Sequence, residues 1–160
     1  MESISHLKPG KKAPALKGKD QEGNTVALSD YSGKKVILFF YPRDMTPTCT
    51  TQVCNLRDHH TILLKEGYRI IGVSADDHHQ HKKFAALNKL PYPLVADPDF
   101  KIVKKYGVWG EKVLHGKTFT GIHRTTFIID EAGIIKHIIP KVKSADHAAQ
   151  IMELIEQDKE

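Results

Sequence analysis

The chain has 160 residues, 24 basic and 19 acidic side chains, a formal charge of +5 and an apolar fraction of 40%. This fits one compact domain over residues 1–160 and excludes disordered, collagen-like and disulfide-rich secreted classes. The basic residues are scattered, as in Lys34-Lys35, Lys82-Lys83 and Lys104-Lys105, and form no nucleic-acid footprint.

The opening Met1-Glu2-Ser3-Ile4-Ser5-His6-Leu7-Lys8 has neither the apolar core of a secretory leader nor the arginines of a transit peptide. A cytoplasmic location is expected. Residues 13–30 read as an N-terminal β-hairpin, with Gln21-Glu22-Gly23-Asn24 as its turn. Val36 to Tyr41 is a continuous apolar and aromatic run, the signature of a central strand buried on both faces and far too short to cross a bilayer. Thr46-Pro47 then starts a helix, Thr46 as N-cap and Pro47 where no N–H is needed. That helix is predicted over residues 47–66, with Cys49, Val53, Leu56, His60, Leu63 and Leu64 on one stripe and Gly67 ending it.

Arg69 to Ser74 reads as a second buried strand, and Asp76 or Asp77 caps a helix over 77–88. Leu94 to Ala96 is a short strand, and Asp97-Pro98 announces a helix that ends at Gly107. The Gly-rich residues 107–121 are expected to form an irregular loop. Thr125–Asp130 and Ile134–Ile139 read as strands joined by Glu131-Ala132-Gly133, and Ser144 caps a last helix over 145–157. The alternation predicts an α/β protein, a mixed sheet covered by helices on both faces.

Two cysteines at such close spacing point to redox chemistry or metal binding rather than to a scaffold of disulfides. Cys49 falls in the first turn of a helix that directly follows a central strand, where ligand sites of open α/β sheets lie. Unpaired N–H groups and the positive helix end favour an anion there, and the thiolate is the nucleophilic form of cysteine. Thr46 is one turn before it, and Pro42 stiffens the approach. Cys54 is five residues on, so in an ideal helix the two Cα atoms lie roughly 8–9 Å apart. Bridging without backbone movement needs less than about 7 Å. A Cys49–Cys54 disulfide therefore requires local unwinding, which suits oxidation of Cys49 to a sulfenic acid followed by condensation with Cys54. A buried cysteine is commonly just a small hydrophobe, but the helix-start context argues otherwise. Zinc would need two further ligands at matching spacing.

The segment Pro42-Arg43-Asp44-Met45-Thr46-Pro47-Thr48-Cys49 matches the Pro-x-x-x-Thr-x-x-Cys motif of the peroxiredoxins. Its continuation through Cys54 to Asp58 resembles the bacterioferritin comigratory protein, or Q-type, subgroup. Leu7 to Pro14, Tyr106 to Lys112 and Gly121 to Asp130 are also similar, the last carrying the arginine position of that family at Arg124. The resemblance implies a thioredoxin-like fold and a thiol peroxidase. Cys49 would be the peroxidatic cysteine and Cys54 the resolving one in the same subunit. Thr46 and Arg124 would hold the peroxide oxygens, and Pro42 would shield the sulfenic acid. No bound cofactor is implied, since electrons would come from thioredoxin or a similar, glutaredoxin-like dithiol. A monomer is expected, with a dimer as the alternative.

Trp109 is a candidate wall of the substrate pocket, balanced against simple packing under a loop. Arg43 and Arg57 read as surface ion-pair residues. The tract Asp76-Asp77-His78-His79-Gln80-His81, with His59-His60, reads as solvated histidines rather than a metal site. Alternatives from other classes are a copper-binding factor on the same fold, a disulfide reductase, which lacks its C-x-x-C here, and a redox-sensing binding protein.

Overall fold

The computed structural model describes residues 4–159. Its centre is a five-stranded sheet in the order β5-β4-β3-β8-β9, built from Lys35–Phe40 (β3), Tyr68–Ser74 (β4), Leu94–Ala96 (β5), Thr125–Ile129 (β8) and Ile135–Ile139 (β9). β3, β4 and β5 run parallel, while β8 and β9 join antiparallel, which makes the sheet mixed. Alternation along β3 explains its unbroken apolar run. Val36, Leu38 and Phe40 enter one core with Ile71, Val73, Tyr106 and Phe127, while Ile37, Phe39 and Tyr41 enter a second with Cys49, Val53 and Leu56. The second core is roofed by Pro47–Asp58 (α1), His60–Lys65 (α2), His78–Asn88 (α3) and His147–Asp158 (α5). The first is covered by Lys101–Lys105 (α4) and by the N-terminal segment. Gly72 of β4 leaves room for its neighbours, since a Cβ there would lie 2.7 Å from Phe39 Cζ and 2.8 Å from Leu94 Cδ2.

The expected N-terminal hairpin is present as Lys17–Lys19 (β1) and Thr25–Ala27 (β2). Four other expectations need correction. The predicted loop over 107–121 is a second hairpin, Trp109–Leu114 (β6) with Lys117–Ile122 (β7). Its two-residue turn, His115-Gly116, has positive φ at both positions (53° and 76°), the backbone that matches strand twist. The predicted helix 47–66 breaks at His59, whose Nδ1–H donates to Asn55 O at 2.8 Å while its main-chain N–H turns to Leu56 O. The side chain takes the carbonyl that the helix would have used.

Ser144 does not cap α5. A 3-10 turn over Ser144–Asp146 intervenes, and Asn55 Oδ1 of α1 accepts from Ala148 N at 2.7 Å instead. Asp97 caps at a distance: its carboxylate accepts from Ile102 N and Val103 N across the turn at 98–100, so α4 starts only at Lys101. Asp77 is the cap of α3, accepting from Gln80 N at 2.8 Å. Among the described residues no helix is long and apolar enough to cross a membrane.

Candidate active site

β3 ends against the segment 42–46, and this segment delivers the chain to the first turn of α1. Cys49 is 1% exposed at that turn, with its sulfur packed into the core beneath α1. Just before β8, Arg124 donates through Nη2 to Cys49 Sγ at 3.2 Å and through Nη1 to Gln52 Oε1. A guanidinium stays charged and offers its donors in a fixed fork, so one residue holds the sulfur and is itself aimed by another. Gln52 lies three residues after Cys49, on the same face of α1. Presenting its oxygen to the cation leaves Nε2 buried without a hydrogen-bond partner among the described groups. That is the cost of fixing the arginine. Gln52 was readable only from its i+3 spacing to Cys49.

Thr46 occupies the N-cap position of α1 as predicted, but no side-chain cap bond is made. Its hydroxyl donates to Arg43 O at 3.0 Å, tightening the turn before Cys49. Pro42 is half-buried in the same segment and Arg43 is exposed. Lys112 of β6 also faces this region. Its ammonium donates to Ile122 O at 2.9 Å, and burial, then the Arg124 charge, lower its pKa from the ordinary lysine value, with Cys49 opposing. Trp109 stacks on Phe100 with ring centroids 4.4 Å apart, packing consistent with the simpler of its two readings.

Cys54 is half-buried on α1 and both cysteines are free thiols. Arg57 pairs with Asp58 at 2.9 Å and also donates to Asn88 O at 2.8 Å. Beneath the segment 42–46 lies a buried polar network that sequence reading missed. Asp44 Oδ1 accepts from Tyr41 OH at 2.6 Å, and Asp44 Oδ2 lies 2.6 Å from His81 Nδ1. The other ring nitrogen of His81 meets Val95 O at 3.1 Å. Both ring nitrogens thus face oxygens. Burial, then the Asp44 charge, push the Tyr41 phenol well above its ordinary value and keep it a donor. His81 is therefore fully buried rather than solvated as its tract suggested, while His78 and His79 stack on each other outside. Asp76 joins through Asp44 N and Ser74 Oγ. Ligand atoms of Asp44, Asp76 and His81 converge, but neither cysteine belongs to that group.

Next to Arg124 on the far side, His147 is buried at the start of α5. Its pKa is lowered to about 4, first by burial and further by the Arg124 charge, against the bond to Gln150. Nδ1–H donates to Gln150 Oε1 and Nε2 accepts from Thr126 Oγ1, which fixes a neutral ring. A cavity of about 350 Å³ opens at the other end of β3, lined by Leu16, Leu28, Tyr31, Val36 and Ile129. It includes no residue of the cysteine site.

A model of the AhpC/TSA family matches residues 9–138. The chain belongs to that family. Peroxiredoxin Bcp of Escherichia coli (strain K12) is 41% identical over 144 residues, covering 90% of this chain and 92% of the relative. Peroxiredoxin Bcp of Bacillus subtilis (strain 168) is 43% identical over 146 residues, covering 91% and 93%. The structure of the Xanthomonas campestris bacterioferritin comigratory protein, described for its alkyl peroxide reduction activity, superposes with a TM-score of 0.85 at 28% identity. That match covers 98% of this chain and 99% of that one. As an AhpC/TSA peroxiredoxin the chain is a thiol peroxidase with a thioredoxin-like fold, and its cysteine chemistry is to be read in that light.

Proposed function

We propose that Cys49 is the peroxidatic cysteine and that the chain reduces hydrogen peroxide and organic hydroperoxides. The observation that carries this is the Arg124 guanidinium held on Cys49 Sγ at 3.2 Å. A cation there stabilises the attacking thiolate and the oxygen on which charge develops. Cys49 sulfur attacks one peroxide oxygen, the O–O bond breaks, and water or an alcohol leaves after taking a proton. Cys49 is then a sulfenic acid. Thr46 and Arg124 bind the peroxide oxygens, and Pro42 shields the oxidised sulfur. The alkyl peroxide activity described for the Xanthomonas relative supports inclusion of organic substrates.

Cys54 resolves the sulfenic acid, forming an intramolecular disulfide and releasing water. Thioredoxin, or a glutaredoxin-like dithiol, then reduces the disulfide by exchange, and no bound cofactor takes part. The chain works in the cytoplasm as a monomeric single domain over residues 1–160. The copper-binding alternative draws no support from the grouping of Asp44, Asp76 and His81, which leaves out both cysteines.

The test is NADPH consumption with peroxide, thioredoxin and thioredoxin reductase, comparing wild type, Cys49→Ser and Cys54→Ser. Both variants are expected to lose recycling turnover, with Cys49 still oxidised in Cys54→Ser. Undiminished turnover in Cys49→Ser would sink the assignment.

A further inference from the structure

Cys54 is held by more than its helix. Its Sγ–H donates to Oδ1 of Asn88, at the end of α3, at 3.4 Å. That amide cannot turn over. Asn88 Nδ2 donates to Phe84 O at 3.0 Å, and a carbonyl only accepts, so the amide oxygen must face the sulfur. The same corner is closed twice more. Arg57, one turn after Cys54, donates to Asn88 O at 2.8 Å, and Tyr92 OH donates to Val53 O at 2.8 Å. Three contacts therefore bind the middle of α1 to the segment 88–92, one of them made by the sulfur itself.

We infer that Asn88 is a positioning residue for the resolving step, a latch that keeps the Cys54 sulfur inside α1 and away from Cys49. This rests on the assignment of Cys54 as the resolving cysteine. An amide oxygen accepts from a thiol, so the contact stabilises the closed helix with the sulfur turned away from Cys49. Resolution breaks it. The Cys54 sulfur bonds to the Cys49 sulfur and the S–O bond of the sulfenic acid breaks. The oxygen leaves as water with the proton given up by Cys54. Cys54 is oxidised and the Cys49 sulfur is reduced, with no further reagent. The competing fate is attack of a second peroxide on the sulfenic acid, giving sulfinic acid. Asn88 sets how long that competition lasts and does not touch the first oxidation.

Full-length wild type, Asn88→Ala and Asn88→Leu are mixed rapidly with peroxide, quenched with an alkylating reagent and read by mass spectrometry. Sulfenic acid, disulfide and sulfinic acid are thereby counted separately. Disulfide formation is expected to be about two- to tenfold faster in both variants, the factor set by loss of one neutral hydrogen bond. Sulfinic acid falls accordingly, while sulfenic acid formation stays within about twofold of wild type. The leucine variant fills the space of Asn88, so loosened packing would quicken the alanine variant alone, and that result overturns the latch. A second readout is the infrared S–H stretch in the Cys49→Ser background, where Cys54 is the remaining thiol. It is expected to move to higher frequency on Asn88→Leu, and an unmoved band overturns the proposal. A disulfide that forms at one rate in all three proteins refutes the latch alone. Peroxide treatment that yields no Cys49–Cys54 disulfide in wild type refutes the resolving assignment as well.

Discussion

Replacing His81 by alanine is expected to destabilise the fold far more than its place in a polar, histidine-rich tract suggests. Asp44 and His81 are both fully buried, and the carboxylate has one side-chain donor on each oxygen, each at 2.6 Å. Without His81, Oδ2 keeps no side-chain donor and Val95 O loses its bond from the ring. Breaking a buried pair from one side costs about 3–5 kcal/mol, a large part of a total stability of roughly 5–15 kcal/mol. Asp44→Asn behaves differently. Its amide oxygen still accepts from Tyr41, and its NH2 donates to a neutral His81 ring that keeps its N–H for Val95. We expect that variant to lose about 1 kcal/mol or less. Urea unfolding at neutral pH, followed by fluorescence of Trp109, the single tryptophan, measures all three proteins. Asp44→Ala, alone and with His81→Ala, completes a double-mutant cycle with an expected coupling of roughly 2–3 kcal/mol. Effects that add to within about 0.5 kcal/mol would refute the paired reading.

Arg124→Lys keeps the charge but not the fork that spans Gln52 and Cys49, and peroxide reduction measured by stopped flow should slow about ten- to a hundredfold. Gln52→Ala frees the guanidinium, and the same assay should show about tenfold loss; an unchanged rate would mean that Arg124 needs no anchor. Gly72→Ala forces a methyl against Phe39 and Leu94 and should lower stability by about 1–3 kcal/mol in urea titration. For pH, His147 is the group to watch. Its folded pKa of about 4 lies below the ordinary 6.5, so the unfolded chain binds the extra proton first. Its contribution is present above about pH 6.5 and is lost as pH falls towards 4, amounting to roughly 3 kcal/mol at about 1.4 per unit. His147→Gln should flatten that part of the stability profile, and an unaltered acid limb would contradict it.

The cysteine site was legible because its residues are consecutive. The run Pro42 to Cys49 and the strand before it fix the position of the sulfur on a helix start, and no long-range contact is needed to see it. Arg124 became legible through family resemblance, since nothing local marks an arginine between two strands as facing a sulfur 75 residues away. The hairpin β6–β7 was misread because both its faces are largely open, as at Val113, Leu114 and Phe119, so burial imposes no alternation on the sequence. His81 was misread for the opposite reason. Its neighbours in the tract are polar, and only the return of Asp44 beneath α3 makes burial affordable. Asn88 gave no signal at all, because its role is defined across 34 residues by one sulfur.

The break at His59 changes how α1 can melt. Helical order passes along the chain through successive main-chain bonds, and where the series is interrupted, cooperativity ends. α1 is left with 12 residues, near the length at which a helix alone is marginal in water. Its first turns carry Thr48, Thr50 and Thr51, and the last two return their hydroxyls to the carbonyls of Thr46 and Pro47, a bonding pattern that weakens helices. Asn55 is the firm point, giving Nδ2 to Ala145 O and taking Ala148 N. A melting front entering at Pro47 would cross both cysteines before it reaches Asn55. Beyond the break Leu63 is buried in the core, so such an opening would be confined to one segment.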